Sequence, residues 1–326
     1  MYQSTRFREE EDEDYCTTRC FLNFAENKVY KMKYVFEGFG YDPWCVGFSH
    51  GWLVILDDVC GVSRKTFILK AVLLADPSRS DNFGVVLNYN GPLLPSLAES
   101  CDQLAFYKHG DRTWTNLVSL RGRDYCDIIG HDNQLYALTN DDSSESLELE
   151  VWDFRSPFPK IMSTIAPFTR LKGIRDIDKY LIKFYLVKTS SDFLLIQRFY
   201  LDFEIEEDFV DHDDVPFETK LFNVYKLDFR QKAWKRVKSL NDQVVFLGKN
   251  RSMSLSRHDW SECIPNSVYF TDDHSEDEFL CKSYVGHDIG LFNIDDESIK
   301  SFYDIFDNLD SWTINPPPSW ITPSPW

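Results

Sequence analysis

Three separated segments of this chain repeat one pattern: an apolar strand, an acidic turn, and a second strand that usually opens on an aromatic. They are Ala105-Phe-Tyr-Lys-His-Gly-Asp-Arg-Thr-Trp114, Val224-Tyr-Lys-Leu-Asp-Phe-Arg-Gln-Lys-Ala-Trp234 and Leu291-Phe-Asn-Ile-Asp-Asp-Glu-Ser-Ile-Lys-Ser-Phe302. Each reads as a β-hairpin. After the first two comes a further strand with an apolar-Tyr core, Asn133-Gln-Leu-Tyr136 and Asn266-Ser-Val-Tyr269. Units this small cannot bury an apolar face alone, so they must stack on one another, which is the logic of propeller blades.

The rest of the chain agrees. Gly51–Leu56, Leu104–Tyr107, Gln134–Leu138, Phe193–Ile196, Val244–Leu247 and Ser267–Phe270 are short runs rich in Val, Ile, Phe, Tyr or Trp between turn residues, and long segments of 3.6-residue period are missing. The expected fold is all-β, a kelch-like β-propeller. At roughly 45 to 50 residues per blade the length holds six or seven blades; a pair of β-sandwiches is the alternative. The tail, Asn315-Pro-Pro-Pro-Ser-Trp-Ile-Thr-Pro-Ser-Pro-Trp326, must be extended, because proline fixes φ and lacks an amide donor. It is expected to pack back and close the ring, with a role as ligand for a Pro-binding module as the alternative. Residues 1–20 read as an acidic, disordered segment and 21–326 as a single propeller domain.

Charge narrows the partners. Thirty-five Lys and Arg stand against 53 Asp and Glu, a net charge of −18, which repels phosphate backbones and anionic lipid surfaces. Neither nucleic acid nor membrane is expected as a partner, while binding to a basic protein surface remains open. No apolar run is long enough for a membrane helix, and the opening residues have neither the apolar core of a secretory signal nor the acid-poor character of a transit peptide. The eight cysteines contain no C-x-x-C pair. They read as reduced, mostly buried thiols of a cytoplasmic or nuclear protein, where the lone sequon Asn250-Arg251-Ser252 has no meaning.

The chain offers little for catalysis. Nucleophile-elbow, zincin, Walker and dinucleotide motifs are all missing from the sequence, so no enzyme activity, cofactor or metal is expected. His50, His109, His131, His212, His258, His274 and His287 are dispersed, most beside turn residues. Acidic clusters at Glu204–Asp214 and Asp272–Glu278 lack the alternating ligands and central Gly of a calcium loop. The first holds the candidate partner-binding acidic loop, Glu206, Glu207, Asp208, Asp211, Asp213 and Asp214. The one basic run, Arg230–Lys238, reads as an exposed strand, and Trp114 and Trp234 as core between blades.

Three blocks near the C-terminus carry a family resemblance: Val245-Phe-Leu-Gly-Lys-Asn-Arg-Ser-Met-Ser-Leu-Ser256, Cys263-Ile-Pro-Asn-Ser-Val-Tyr-Phe-Thr-Asp-Asp273 and Asp288-Ile-Gly-Leu-Phe-Asn293. With Ser49–Val54, Leu104–Phe106, Gly110–Trp114, Tyr185–Lys188, Leu194–Arg198 and the terminal Pro-Pro-x-Trp, they keep the order of the plant KIB-type β-propeller domain, which this chain resembles from about Cys45 onward. The signature residues are Trp52, Trp114, Trp234, Gly248, Ser252, Asn266, Tyr269, Phe270, Asp272, Asp273 and Gly290. The resemblance implies a non-enzymatic, protein-recognising propeller of the kind attached to plant F-box proteins, which dock on a Skp-type adaptor of a cullin ubiquitin ligase; some relatives target shaggy-type kinases.

Two departures stand out. An F-box is Leu-rich, yet the first forty residues contain only Leu22 and no Pro, so the expectation is an absent or truncated F-box, with a Skp-type adaptor not a partner of this chain. Arg251 occupies a place where relatives often carry a small residue or Cys. The competing functional reading is a propeller enzyme or carbohydrate-binding protein with a carboxylate-lined central pocket.

Overall fold

A computed structural model of the chain describes residues 2–5, 19–23, 28–32, 44–56, 67–79, 83–92, 100–117, 124–141, 146–156, 158–169, 180–201, 218–273, 288–302 and 318–321. Strands β1 (Tyr2–Thr5), β2 (Arg19–Asn23) and β3 (Lys28–Met32) form a meander, and β4 (Trp44–Ser49) pairs with β5 (Trp52–Leu56). A four-stranded sheet follows from β6 (Phe67–Leu73), β7 (Gly84–Pro92), β8 (Ser100–Lys108) and β9 (Thr115–Leu117). The next contains β10 (Asp124–His131), β11 (Gln134–Asp141), β12 (Ser146–Asp153) and β13 (Lys160–Thr169). After it come β14 (Tyr180–Lys188), β15 (Phe193–Leu201), β16 (Glu218–Asp228) and β17 (Ala233–Val237).

The last sheet takes β18 (Gln243–Leu247), β19 (Ser252–Ser256), β20 (Ser267–Phe270), β21 (Gly290–Asn293) and β22 (Ile299–Ser301) in the order β19-β18-β20-β21-β22, with β18 and β20 parallel. Strand β23 (Ser319–Ile321) pairs antiparallel with β1, Tyr2 opposite Ile321. Tyr2–Thr5, which the sequence places in an unstructured lead-in, are thus part of a sheet. Residues 6–18, with the acidic run, lie outside the described residues. Among the described residues there is no helix, and so none long and apolar enough to cross a membrane.

The period-2 alternation of each strand decides the packing. On β14, Phe184 and Leu186 join a cluster with Leu138, Leu149 and Ile165 of the preceding sheet. Their alternates Tyr185 and Val187 join Val245, Val268 and Phe270 of the following one. Strand β15 is buried along eight of its nine residues, because both faces are covered. A third cluster fills the space between β6–β9 and β10–β13, with Val86, Leu104, Ile128 and Leu135 fully buried. The core is therefore a series of interlayers between neighbouring sheets, and not one central volume. Such face-to-face stacking of small antiparallel sheets is a β-propeller, as the hairpin repeat led one to expect.

All three hairpins read from the repeat are formed: β8–β9, β16–β17 and β21–β22. The turns His50-Gly51 and Asp132-Asn133 each join strands through two residues of positive φ, the backbone that suits the twist of a tight hairpin. Three successive sheets also begin alike. Strands β4, β6 and β10 each break register near their start, between Cys45 and Gly47, Ile68 and Lys70, and Tyr125 and Asp127. Bulges re-aim side chains, and here two of the re-aimed residues are Lys70 and Asp127. Gly47 lets β4 and β6 meet closely: a Cβ there would fall 2.1 Å from the Ala71 carbonyl oxygen.

Candidate interaction face

Two charged clusters are buried between sheets. Lys70 Nζ donates to Asp127 Oδ1 at 2.7 Å, with both side chains over nine-tenths buried. The same oxygen accepts from the Ile128 amide, and Oδ2 accepts from the Leu186 amide at 2.7 Å. One carboxylate thereby ties β6, β10 and β14, first strands of three consecutive sheets. Both of its oxygens are engaged by fixed donors, Oδ1 by two and Oδ2 by one, so it is not a free general base.

The second cluster joins the sheet of β14–β17 to the C-terminal one. Arg198 on β15 is fully buried; its guanidinium donates to Asp273 Oδ1 at 3.2 Å, Asp288 Oδ2 at 2.9 Å, Thr219 Oγ1 at 2.8 Å and the Thr271 carbonyl at 2.8 Å. It also lies 4.6 Å from the ring centres of Tyr200 and Phe270. The hydroxyls of Tyr185 and Tyr200 both donate to Asp273, at 2.8 Å each. Burial raises the Asp273 carboxyl, but Lys183, Arg198 and the two tyrosines outweigh it and hold the acid at about 2. Burial likewise opposes the Arg198 charge, and the oxygens of Tyr200, Tyr185, Asp288 and Asp273 overcome it, raising the group well above its ordinary value. Both ions are matched, so the arrangement holds two sheets together and leaves no acid or base idle.

The signature residues mostly serve the same end. Trp320 is fully buried, donates Nε1 to the Leu247 carbonyl at 2.7 Å, and exchanges two further bonds with the Asn250 amide group. Gly248 leaves space for it. Gly290 does likewise for Phe270, since a Cβ there would come 2.9 Å from the Phe270 ring. Asn266 sits at φ +55°, accepting from the Leu240 amide and donating to Asp295. Tyr269 accepts from the Ile264 amide; Ser252 and Asp272 are buried. Sequence marked these positions without revealing that they are architecture.

The tryptophans divide differently. Trp234 is half-buried against the cluster between β10–β13 and β14–β17. Trp114, expected in the core, is instead 48% exposed and packs on Tyr107 at 5.3 Å. It precedes β9 in the β8–β9 turn, at the end of the sheet and away from the cluster between sheets that holds Leu104, Phe106 and Leu117. The basic strand β17 is a sheet edge with Lys235 and Arg236 exposed, as expected.

Exposed aromatics gather at turns that touch one another. Trp52, after the β4–β5 turn, is 47% exposed and donates to Asp76 in the β6–β7 connection. Leu74 beside it accepts from the Asn133 amide of the β10–β11 turn, and Asn133 in turn accepts from the Phe154 amide of the β12–β13 connection. Phe158 in that connection is 83% exposed. His131 meets Phe193 edge-on at 6.5 Å, and Phe193 meets the half-exposed Phe229 of the β16–β17 turn at 5.5 Å. Trp52, Phe158 and Phe229 thus stand on one continuous turn-side face, an arrangement typical of protein-binding anchors. Trp114 occupies the same kind of turn.

Elsewhere, a cavity of about 450 Å³ lies between β16–β17 and the β21–β22 turn, lined by Asn223, Arg236 and Lys238 against Asp295, Asp296 and Glu297. Its charges are of both signs, and Arg236 is already bonded to Asn223. The acidic loop Glu206–Asp214, most of Asp272–Glu278, and His212, His274 and His287 lie outside the described residues. Among the described residues no cluster of His, Cys, Asp and Glu is arranged to hold a metal ion.

Stacked small sheets, ion-paired interlayers and an aromatic turn face define the class, a β-propeller with an outward-looking loop surface. More narrowly, residues 21–293 match the KIB1-4 beta-propeller, and the chain belongs to that family. In Arabidopsis thaliana, F-box protein At2g17690 is 36% identical over 86 residues, 26% of this chain and 18% of that protein. F-box protein At4g35733 is 26% identical over 241 residues, 74% of this chain and 58% of the relative. F-box protein SKIP23 is 22% identical over 333 aligned residues, covering 86% and 76%. The chain therefore spans less than two thirds of the first two relatives.

Proposed function

We propose that this chain is a non-catalytic protein-recognition propeller, the target-binding part of a plant F-box-type ubiquitin ligase receptor, working in the cytoplasm or nucleus. The observation that carries the reading is the continuous turn-side face on which Trp52, Phe158 and Phe229 are exposed. Large aromatics left in water on rigid supports are the side chains that contribute most to protein interfaces. The F-box proteins among its relatives support the ligase context, and the firmly engaged Asp127 and Asp273 carboxylates favour binding over catalysis. The six sheets fit a ring of six blades in which β23, added to β1, joins the chain's ends, with residues 21–326 acting as one domain.

Affinity purification of the tagged chain from plant tissue tests this. A specific protein partner should be retained by the wild type and lost with Trp52→Ala/Phe158→Ala/Phe229→Ala, at unchanged melting temperature. Equal recovery of that partner by the triple variant would sink the proposed face.

A further inference from the structure

The charged groups of the turn-side face are sorted by depth. Asp76 lies in the β6–β7 connection, where its Oδ1 accepts from the Ser78 amide, the Ser78 hydroxyl and Trp52 Nε1. Asp153, at the end of β12, accepts from the Arg155 amide, and Asp228, at the end of β16, from the Arg230 and Gln231 amides. Each acid is drawn inward to hold its own turn, and the cation paired with it is left outside. The Arg79 side chain is 86% exposed against 19% for Asp76, Arg155 61% against 15% for Asp153, and Lys235 55% against 26% for Asp228.

These outward cations stand beside the outward aromatics. Trp52 and Arg79 share the Asp76 carboxylate. Arg155 and Phe158 belong to one connection, in which Ser156 Oγ donates to the Phe158 carbonyl at 2.6 Å. Arg230 adjoins Phe229 and is exposed; Asp228 holds its amide and not its guanidinium. The β8–β9 turn repeats the pairing with Arg112 and Trp114, both exposed. Among the described turns of these sheets, Asp111 and Asp132 are the exposed acids, and each has a donor close by, the Lys108 amide at 2.9 Å and His131 Nε2 at 3.3 Å.

The net charge of −18 belongs to the whole chain, but a docked partner senses chiefly the charges within about 8 Å at physiological ionic strength. On this face those are cations set among large aromatics. We infer that the turn-side face binds an acidic polypeptide segment, its apolar side chains packing on Trp52, Phe158 and Phe229 and its carboxylates meeting Arg79, Arg155 and Arg230. This rests on the aromatic face proposed above and names the chemistry of its partner. Arginine suits both halves of such a contact, since its stem covers apolar surface while its planar fork grips a carboxylate. Beyond β17 the charge reverses: Asp295, Asp296 and Glu297 of the β21–β22 turn are exposed, so the acidic segment lies over the sheets that precede it. A nucleic acid is the other polyanion, but its run of phosphates extends past so short a basic surface into the field of the acidic chain.

Panning a phage-displayed library of random peptides on the full chain tests this, with three proteins in parallel: the wild type, Trp52→Ala/Phe158→Ala/Phe229→Ala, and Arg79→Glu/Arg155→Glu/Arg230→Glu. Peptides retained by the wild type and lost by the aromatic variant should hold more Asp and Glu than the unselected library. Their Kd should weaken by about tenfold or more on the charge-reversed variant. Face-specific peptides that are rich in Lys and Arg, or that have no charge bias, overturn the acidic assignment and leave the aromatic face standing. If no peptide separates the wild type from the aromatic variant, the face fails and this inference fails with it. Should the charge-reversed variant melt below the wild type, Arg79→Gln/Arg155→Gln/Arg230→Gln, which removes charge without adding acid, should still bind the selected peptides about threefold more weakly; equal affinity overturns the inference. So does a single-stranded oligonucleotide that displaces those peptides at equal concentration, which would assign the face to nucleic acid.

Discussion

Gly248 and Trp320 are in contact across 72 positions of sequence: a Cβ on Gly248 would stand 2.8 Å from Trp320 Cδ1 and 2.8 Å from Thr271 Oγ1. The backbone of Gly248 is not left-handed, so space alone excludes a larger residue. Gly248→Ala should destabilise the fold by about 1–3 kcal/mol through overpacking. Trp320→Ala, which empties the pocket and removes one of the two donors to the Leu247 carbonyl, the other being the Thr271 amide, should cost about 3–5 kcal/mol. Chemical denaturation of both variants checks the order.

Asp127 and Lys70 should respond unequally to truncation. Asp127→Ala leaves a buried ammonium and two amides without acceptors, and its loss should reach about 3–5 kcal/mol. Lys70→Met leaves a carboxylate still held by the Ile128 and Leu186 amides, so its loss should be smaller. Urea midpoints that place the Lys variant lower would refute this.

Acid should loosen the seam at Arg198. The Asp273 carboxyl titrates at about 2 in the folded chain against an ordinary 3.8. A depressed folded value means the stabilisation is complete above the ordinary value and lost as pH falls from about 4 toward 2. Wild-type melting temperature should drop across that window more steeply than that of Asp273→Asn. Parallel profiles would show that Asp273 is not the group responsible.

Thiol chemistry gives a simpler check. Burial pushes the Cys45 thiol up to about 11 and raises Cys263 as well, so neither supplies thiolate near neutrality. Both should resist iodoacetamide in the native chain and react on unfolding, as read by peptide mass spectrometry. Rapid native labelling of Cys263 would be inconsistent with its packing.

Strands and hairpins were legible because alternation and turn residues are local: Val224–Trp234 announces a hairpin by itself. The buried ion pairs were not. Lys70 and Asp127 are 57 positions apart and look like ordinary surface charges in amphipathic strands; bulges that shift register by one residue turn them inward. Trp114 misled for a related reason. Hydrophobicity argues for burial, but a residue in a turn at the end of a sheet sits away from the cluster between sheets. For the candidate face, the turns were legible and their adjacency was not, since it depends on which sheets stack.

The reach of Asp127 bears on how the molecule comes apart. Stacked units usually fray one at a time, each interface failing separately. Here one carboxylate serves the interface on either side of its own sheet, so separating β6 from β10 also strips a counter-ion from the group that fastens β14. The three sheets should therefore open as one cooperative block, and the amide protons of Ile128 and Leu186, which share that carboxylate, should exchange with solvent in step.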